Sequence, residues 1–373
     1  MYDLVVVGAG PAGLVCAERV AKEGKSVLVV EKDEVVGEPV SCGGLFSKTG
    51  LKKLDIKPKK SFTRNKVKGA RFYSKNQMAE IGKGRERAFV VDRAEFDREL
   101  AKKYEKHGEL ILGTKCLDIS RKTDSINVLL EDGSTMKTKN LALATGPSVF
   151  LRNKLGFEPK NGHISAVQYE IETDDVDKDF VELYNGSVAP GFFAWVIPVD
   201  KKTLRVGLGT IDAPKKSMEY FEEFLKDFGD FEVISTGGGV IPLYDPQMPV
   251  RKENIYLLGD AATHVKATTG GGVILGCMAA RTLAECLLNR KDYEGELQAI
   301  KKELKKHLMV RRFVNRFNDR KYDELVSLLK NRDLRELLEE HGDMDLIGPF
   351  SKELVKRPSL LVGAGYLFVR SLF

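Results

Sequence analysis

A doubly wound α/β sheet, with a mostly antiparallel sheet inserted and helices at the C-terminus, is the fold class this sequence predicts. Three observations carry it. The chain opens with YDLVVVGAGPAGLVCAERVAKEGKSVLVVEK, which reads strand, glycine turn, helix, strand. A second strand–glycine–helix unit, NIYLLGDAATHVKATTGGGVILGCMAARTLAECL, begins at Asn254. Between them, residues 162–242 show the short alternating runs of an antiparallel sheet: ISAVQYEIE, FVELY, FAWVIPV, LRVGLGT and FEVISTGGGVIPL.

The first unit is the strongest signal. LVVV is a continuous apolar run, as a strand buried on both faces requires. Gly8, Gly10 and Gly13 follow as GxGxxG, with Ala12 among them. Gly8 suits the tight turn, Gly10 admits a pyrophosphate against the backbone, and Gly13 lets helix and strand pack closely. The helix then points its positive end at the phosphates. SVLVVE ends at Glu31, next to Lys32, about 20 residues beyond the last glycine, where a carboxylate binds a ribose hydroxyl. A lone glycine motif is also met as a turn without a ligand. Here strand, helix, strand and acid are all in place, and dinucleotide binding is the expectation.

The rest of the chain separates FAD from NAD. The second unit carries Gly259 and Asp260 at a strand end, an aspartate placed to reach the sugar part of FAD. Gly270, Gly271 and Gly272 then precede an apolar helix from Val273 to Leu288. They let its N-terminus press on a flat ring, and its dipole favours negative charge on the reduced ring. LALATG, with Ala144 and Gly146, is a third strand–glycine element. VVDRAEFDREL adds a helix opened by Arg93, with Asp92 as its cap and Phe96 and Leu100 on one face. Arg93 reads either as a cofactor or substrate contact or as a surface arginine. Together these pieces predict FAD.

GEPVSCGGLFSK contains Cys42, then Gly43 and Gly44. A disulfide reductase would carry two cysteines here, and this segment has one. The five cysteines are scattered without a CxxC and the five histidines do not cluster, so neither a disulfide framework nor a metal site is expected. Beside a flavin, Cys42 reads as a proton donor or as a small buried hydrophobe. Trp195, the one tryptophan, and Phe193 lie two apart on one strand face, as the wall of an apolar slot or as core.

The 373 residues are 42% hydrophobic with a net charge of +6, which fits a soluble globular chain with two intertwined domains. The expected boundaries are 1–65, 88–160 and 243–290 for the FAD-binding domain, 66–87 and 161–242 for the substrate-binding β domain, and 291–373 for a helical region. Lys and Arg mix with Asp and Glu along the chain, so nucleic acid is not an expected partner. MYDLVVVGAG shows no basic n-region or cleavage site and no apolar run is long enough to span a bilayer, so neither a signal peptide nor a transmembrane helix is expected and a cytoplasmic location is. The ending RPSLLVGAGYLFVRSLF has Arg357 and Arg370 at its flanks. It reads as a peripheral contact with the inner membrane face or as a helix packed on the protein.

The order GxGPAG, Glu31, Cys-Gly-Gly, RxxFDxxL, ATG, then GDAA with TGGG resembles flavoproteins of the para-hydroxybenzoate hydroxylase-like superfamily, whose FAD domain is glutathione reductase-like. Cys42, FAWVIP (Phe193 to Pro198) and TTGGGVILG are most similar to the geranylgeranyl reductase family, over about residues 1–290. Phe193 stands where that family's signature has Tyr, Ile197 where it has Phe, and Ala267 where a proline often precedes the glycines. The resemblance implies hydride transfer from reduced FAD to trisubstituted C=C bonds of isoprenoid chains, ether-lipid precursors in archaea. It implies Cys42 and Trp195 in catalysis and Phe193, Trp195 and Pro198 at the substrate. Two other readings share the fold: an aromatic hydroxylase and a flavoprotein passing electrons to quinone. No second GxGxxG with its own acid is present, which leaves an external donor such as a ferredoxin as the candidate partner.

Overall fold

The computed structural model describes residues 1–82, 84–174, 176–357 and 360. Tyr2–Val7 lies at the centre of the main sheet. It pairs in parallel with Val27–Val30 on one side and Thr135–Leu143 on the other. Glu109–Ile111 extends the first side and Ile255–Leu257 the second. Leu4 to Val7 and Val27 to Val30 are all buried, so these strands read as unbroken apolar runs. Burying each such side chain contributes about 1.5–3 kcal/mol, which makes this sheet the base on which the site is built. Cys116–Arg121 and Ile126–Leu130 form an antiparallel meander with Thr135–Leu143.

The second sheet runs in the order Glu232–Pro242, His163–Glu172, Thr203–Thr210, Ala194–Pro198, Phe180–Tyr184, Gly69–Tyr73, Met78–Gly82. All neighbours are antiparallel except Phe180–Tyr184 against Gly69–Tyr73. The alternation of Ala194–Pro198 divides its residues between two faces. Ala194 and Val196 pack with Val206 and Leu208 under Phe221 and Phe224 of the helix Ser217–Leu225. Trp195 and Ile197 face the opposite way, with Val67, Val90 and Leu45. A small sheet of Leu45–Ser47, Ala88–Val91 and Thr63–Val67 lies on that side.

Helix Gln298–Val314 buries Ile300, Leu304, His307, Leu308 and Arg311, one face at helical spacing. Asp319–Leu328, Arg332–His341 and Ile347–Val355 follow. The membrane-surface expectation rests on the C-terminal tail, of which residues 358, 359 and 361–373 lie outside the described residues. Among the described residues, no helix is long and apolar enough to cross a membrane.

Candidate flavin and substrate site

The glycine turn after Tyr2–Val7 is built by close approach. Gly8 has φ +109°, and a Cβ there would run into the carbonyl of Ala144. A Cβ at Gly13 would meet the Gly8 carbonyl, and the Val6 side chain at 3.2 Å, so the helix lies directly on the strand. Gly10 and Gly146 differ: neither has an atom within 4 Å of an added Cβ. Gly10 caps the helix Pro11–Lys22 with no side-chain bond, which leaves the first N–H groups free for a phosphate. Glu31 spans this turn, accepting from Ala9 N at 2.6 Å and Asp33 N at 3.1 Å. Thr145 Oγ1 is buried with no partner among the described residues. An unblocked N-terminus, bare glycine backbone and an orphaned hydroxyl are what a dinucleotide needs, and the residues fit one.

Arg93 stands at the next position along the cleft. Asp92 caps its helix, Arg93–Tyr104, by accepting from Glu95 N at 3.0 Å. The Arg93 guanidinium donates to Asp97 at 3.0 Å. Burial works against its charge, while Asp97 and then the Cys42 side chain work for it, and the net effect holds it above its ordinary value. Burial pushes Asp97 up, with Arg93 opposing. Asp260 is also pushed up by burial and drawn down by Arg93, which puts it in the same group. Gly272 lies against Asp260: a Cβ there would be 2.5 Å from Oδ1. Gly272 caps the helix Val273–Asn289 without a side-chain bond, so its positive end is also unblocked.

The Cys42 loop is held on this group from the inserted sheet. Gly44 N donates to Cys42 Sγ at 3.4 Å. Gln168 Nε2 donates to the Cys42 carbonyl at 3.3 Å, and its Oε1 accepts from Trp195 Nε1 at 3.0 Å. Arg205 donates to the carbonyls of Gly43 and Val91 at 3.2 and 2.9 Å while paired with Glu170 at 2.8 Å. Gly44 has φ +67°, and a Cβ on it would strike the Val91 carbonyl and, at 2.5 Å, Arg205. Cys16, Cys116 and Cys277 are buried and burial pushes each thiol up to about 12, whereas Cys42 is half-buried.

The structure thus brings Cys42, Gly43, Gly44, Arg93, Asp260, Gly272 and Trp195 into one neighbourhood. Gly8, Gly10, Ala12, Gly13, Ala144, Gly146 and Gly259 lie along the cleft beside it, with Ala12 Cβ 3.2 Å from a Cβ on Gly259. Gly270 is 3.3 Å, by the same measure, from Phe192 and Ile241, which pack with Phe193. The Phe193 and Trp195 rings meet edge to face at 5.8 Å. Two expected residues stand apart. Lys32 is exposed and paired with Asp33 at 2.7 Å. Pro198 falls three residues after Trp195, on the opposite strand face, and Ile197 occupies the site side, 3.0 Å from a Cβ on Gly43. Gln168, Arg205 and Asp97 were not singled out from the sequence. A charged Arg205 inside the apolar run LRVGL was the available signal.

Residues 3–345 match the family model described as lycopene cyclase protein. The digeranylgeranylglycerophospholipid reductase of Thermoplasma volcanium is 30% identical, over 89% of this chain and 92% of its own. A geranylgeranyl bacteriochlorophyll reductase-like protein from Thermoplasma acidophilum superposes with a TM-score of 0.82 at 26% identity, over 98% of this chain and 99% of its own. A flavin-dependent brominase shares the fold at a TM-score of 0.69 and 16% identity, over 96% of this chain and 99% of its own. The chain belongs to the geranylgeranyl reductase family of flavin-dependent oxidoreductases, and it matches the lycopene cyclase model over residues 3–345.

Proposed function

We propose that the chain is an FAD-dependent reductase that saturates trisubstituted C=C bonds of geranylgeranyl chains, on precursors of membrane ether lipids. One observation carries the reading. The Cys42 loop is gripped on one side by Gln168 and Arg205 of the inserted sheet and contacts Arg93 of the dinucleotide cleft on the other. The names of two relatives, a digeranylgeranylglycerophospholipid reductase and a geranylgeranyl bacteriochlorophyll reductase-like protein, support such chains as the substrate class.

Bound and reduced, FAD supplies the hydride. The chain's own residues do the rest. Gly43 and Gly44 let the Cys42 loop close against Ile197, Val91 and Arg205, which would hold it beside a bound ring. Trp195, half-buried and backed by the buried Phe193 and Ile197, offers apolar surface, where each buried CH₂ contributes about 0.8 kcal/mol to holding a prenyl chain. Gln168 fixes the indole and the loop together, so alkene and ring meet in one orientation. Cys42 Sγ–H stands at this junction as the proton donor to the carbon that does not receive hydride. The electron donor in this reading is an external reductant of the ferredoxin class.

The test is mass spectrometry of geranylgeranyl ether lipids incubated with dithionite-reduced protein. Products gain two mass units per double bond. Unchanged lipids, or products that form only with oxygen, sink the reading.

A further inference from the structure

Lys266 is a buried ammonium that the chemistry above does not use. Its side chain is 5% exposed and is paired with Asp345, whose side chain is 3% exposed. It also donates to the Met344 carbonyl at 3.1 Å. On the other side it lies against the glycines before the helix Val273–Asn289: a Cβ on Gly271 would be 3.0 Å from Nζ. The pair therefore sits at the glycines that open the helix Val273–Asn289, the helix end assigned to the flavin in the reading above.

The surrounding groups leave the charge of this pair unblurred. Ser47 Oγ donates to Asp345 Oδ2. His307 Nε2 lies 3.2 Å from the Asp345 carbonyl, and its Nδ1 2.6 Å from Thr268 Oγ1. Burial, then Lys266, lowers His307 to about 4, so it is neutral and adds no charge at pH 7. Arg311 donates to the carbonyls of Ala267 and Thr268 at 2.9 and 2.7 Å. The Val265–Gly272 loop thus holds Lys266, paired with Asp345, and receives Arg311 on its carbonyls, while Glu303 beside His307 is paired with Lys306. Asp260 stands on the other side, against Gly272.

We propose that Lys266 raises the reduction potential of the bound flavin and that Asp345 limits the rise. Two electrons and one proton turn the oxidised ring into an anion. A fixed cation beside the helix end favours that anion over the neutral oxidised ring, and a carboxylate on the cation weakens the effect. The inference rests on the FAD reading above.

The test is the midpoint potential of flavin-loaded protein in a dye-equilibrated dithionite titration. Lys266→Met should lower the reduction equilibrium tenfold or more, about 30 mV for two electrons. Asp345→Asn should shift it the other way. The double variant Lys266→Met/Asp345→Asn leaves no unpaired buried charge and is the one most certain to fold. It should lie below wild type, by less than Lys266→Met alone. Lys266→Arg should restore the wild-type potential. An unmoved potential in the double variant overturns the proposal, as do shifts of the same sign in the two single variants. Wild-type protein that holds no flavin overturns the FAD reading with it. Wild-type protein that holds flavin while the variants match it overturns this proposal alone.

Discussion

Trp195 Nε1 donates to Gln168 Oε1 at 3.0 Å, and the other end of that amide holds the Cys42 carbonyl. The indole therefore orients the amide, and the amide holds the loop. Gln168→Leu keeps the bulk and removes both bonds. We expect the single-turnover rate to fall about tenfold, some 1.4 kcal/mol in barrier, with flavin content unchanged. An unchanged rate would show that the loop keeps its place without the amide.

Cys42→Ala removes the thiol beside Arg93. The expected loss in single-turnover reduction of a prenyl substrate is about 10²-fold, the low end for a positioned acid. Cys42→Ser keeps an O–H and should recover part of it. Full activity in Cys42→Ala reduces the thiol to packing.

Arg205→Met leaves Glu170 and two carbonyls without their cation. Glu170 keeps 26% of its side chain exposed, so the cost is that of hydrogen-bonding groups left without a partner, about 1–3 kcal/mol. Urea midpoints of the two proteins check the figure.

Gly10→Val places side-chain atoms where nothing lies within 4 Å, at an ordinary φ of −72°. Stability of the flavin-free protein should stay within about 0.5 kcal/mol, as at a surface position. Flavin occupancy, read by absorbance, should collapse. Equal occupancy would place the phosphates elsewhere.

His264 is fully buried, and neither ring nitrogen has a partner among the described residues. Burial, then Lys301, lowers it from 6.5 to about 3. As pH falls below 6.5 the unfolded chain takes up a proton that the folded chain refuses. The associated stability is present above that pH and is lost on acidification toward pH 3. His307 has the same sign and is lowered to about 4. His264→Leu should flatten the dependence of unfolding free energy on pH between 7 and 4, measured by denaturant titration. A slope equal to wild type would mean that His264 titrates freely in the fold.

The dinucleotide half was legible because its logic is local. Gly8, Gly13 and Glu31 act within one strand–helix–strand unit, and neighbours in sequence are neighbours in space. The grip on Cys42 was not legible. Gln168 and Arg205 reach it across 126 and 162 residues, and nothing local marks either as its partner. Pro198 lies on the opposite strand face from Trp195, a matter of strand parity that membership in a signature does not reveal. The buried partner of Lys266 lies 79 residues away, in a segment whose own pattern shows only amphipathic helices.

The two-faced strand Ala194–Pro198 has a practical consequence for redesign. Ala194 and Val196 answer to the helix Ser217–Leu225, while Trp195 and Ile197 answer to the Cys42 loop. On the proposed function, a mutant library confined to the odd positions would change which chain lengths and branch patterns are accepted while sparing the packing under the helix. One confined to the even positions would alter robustness to heat and leave selectivity alone.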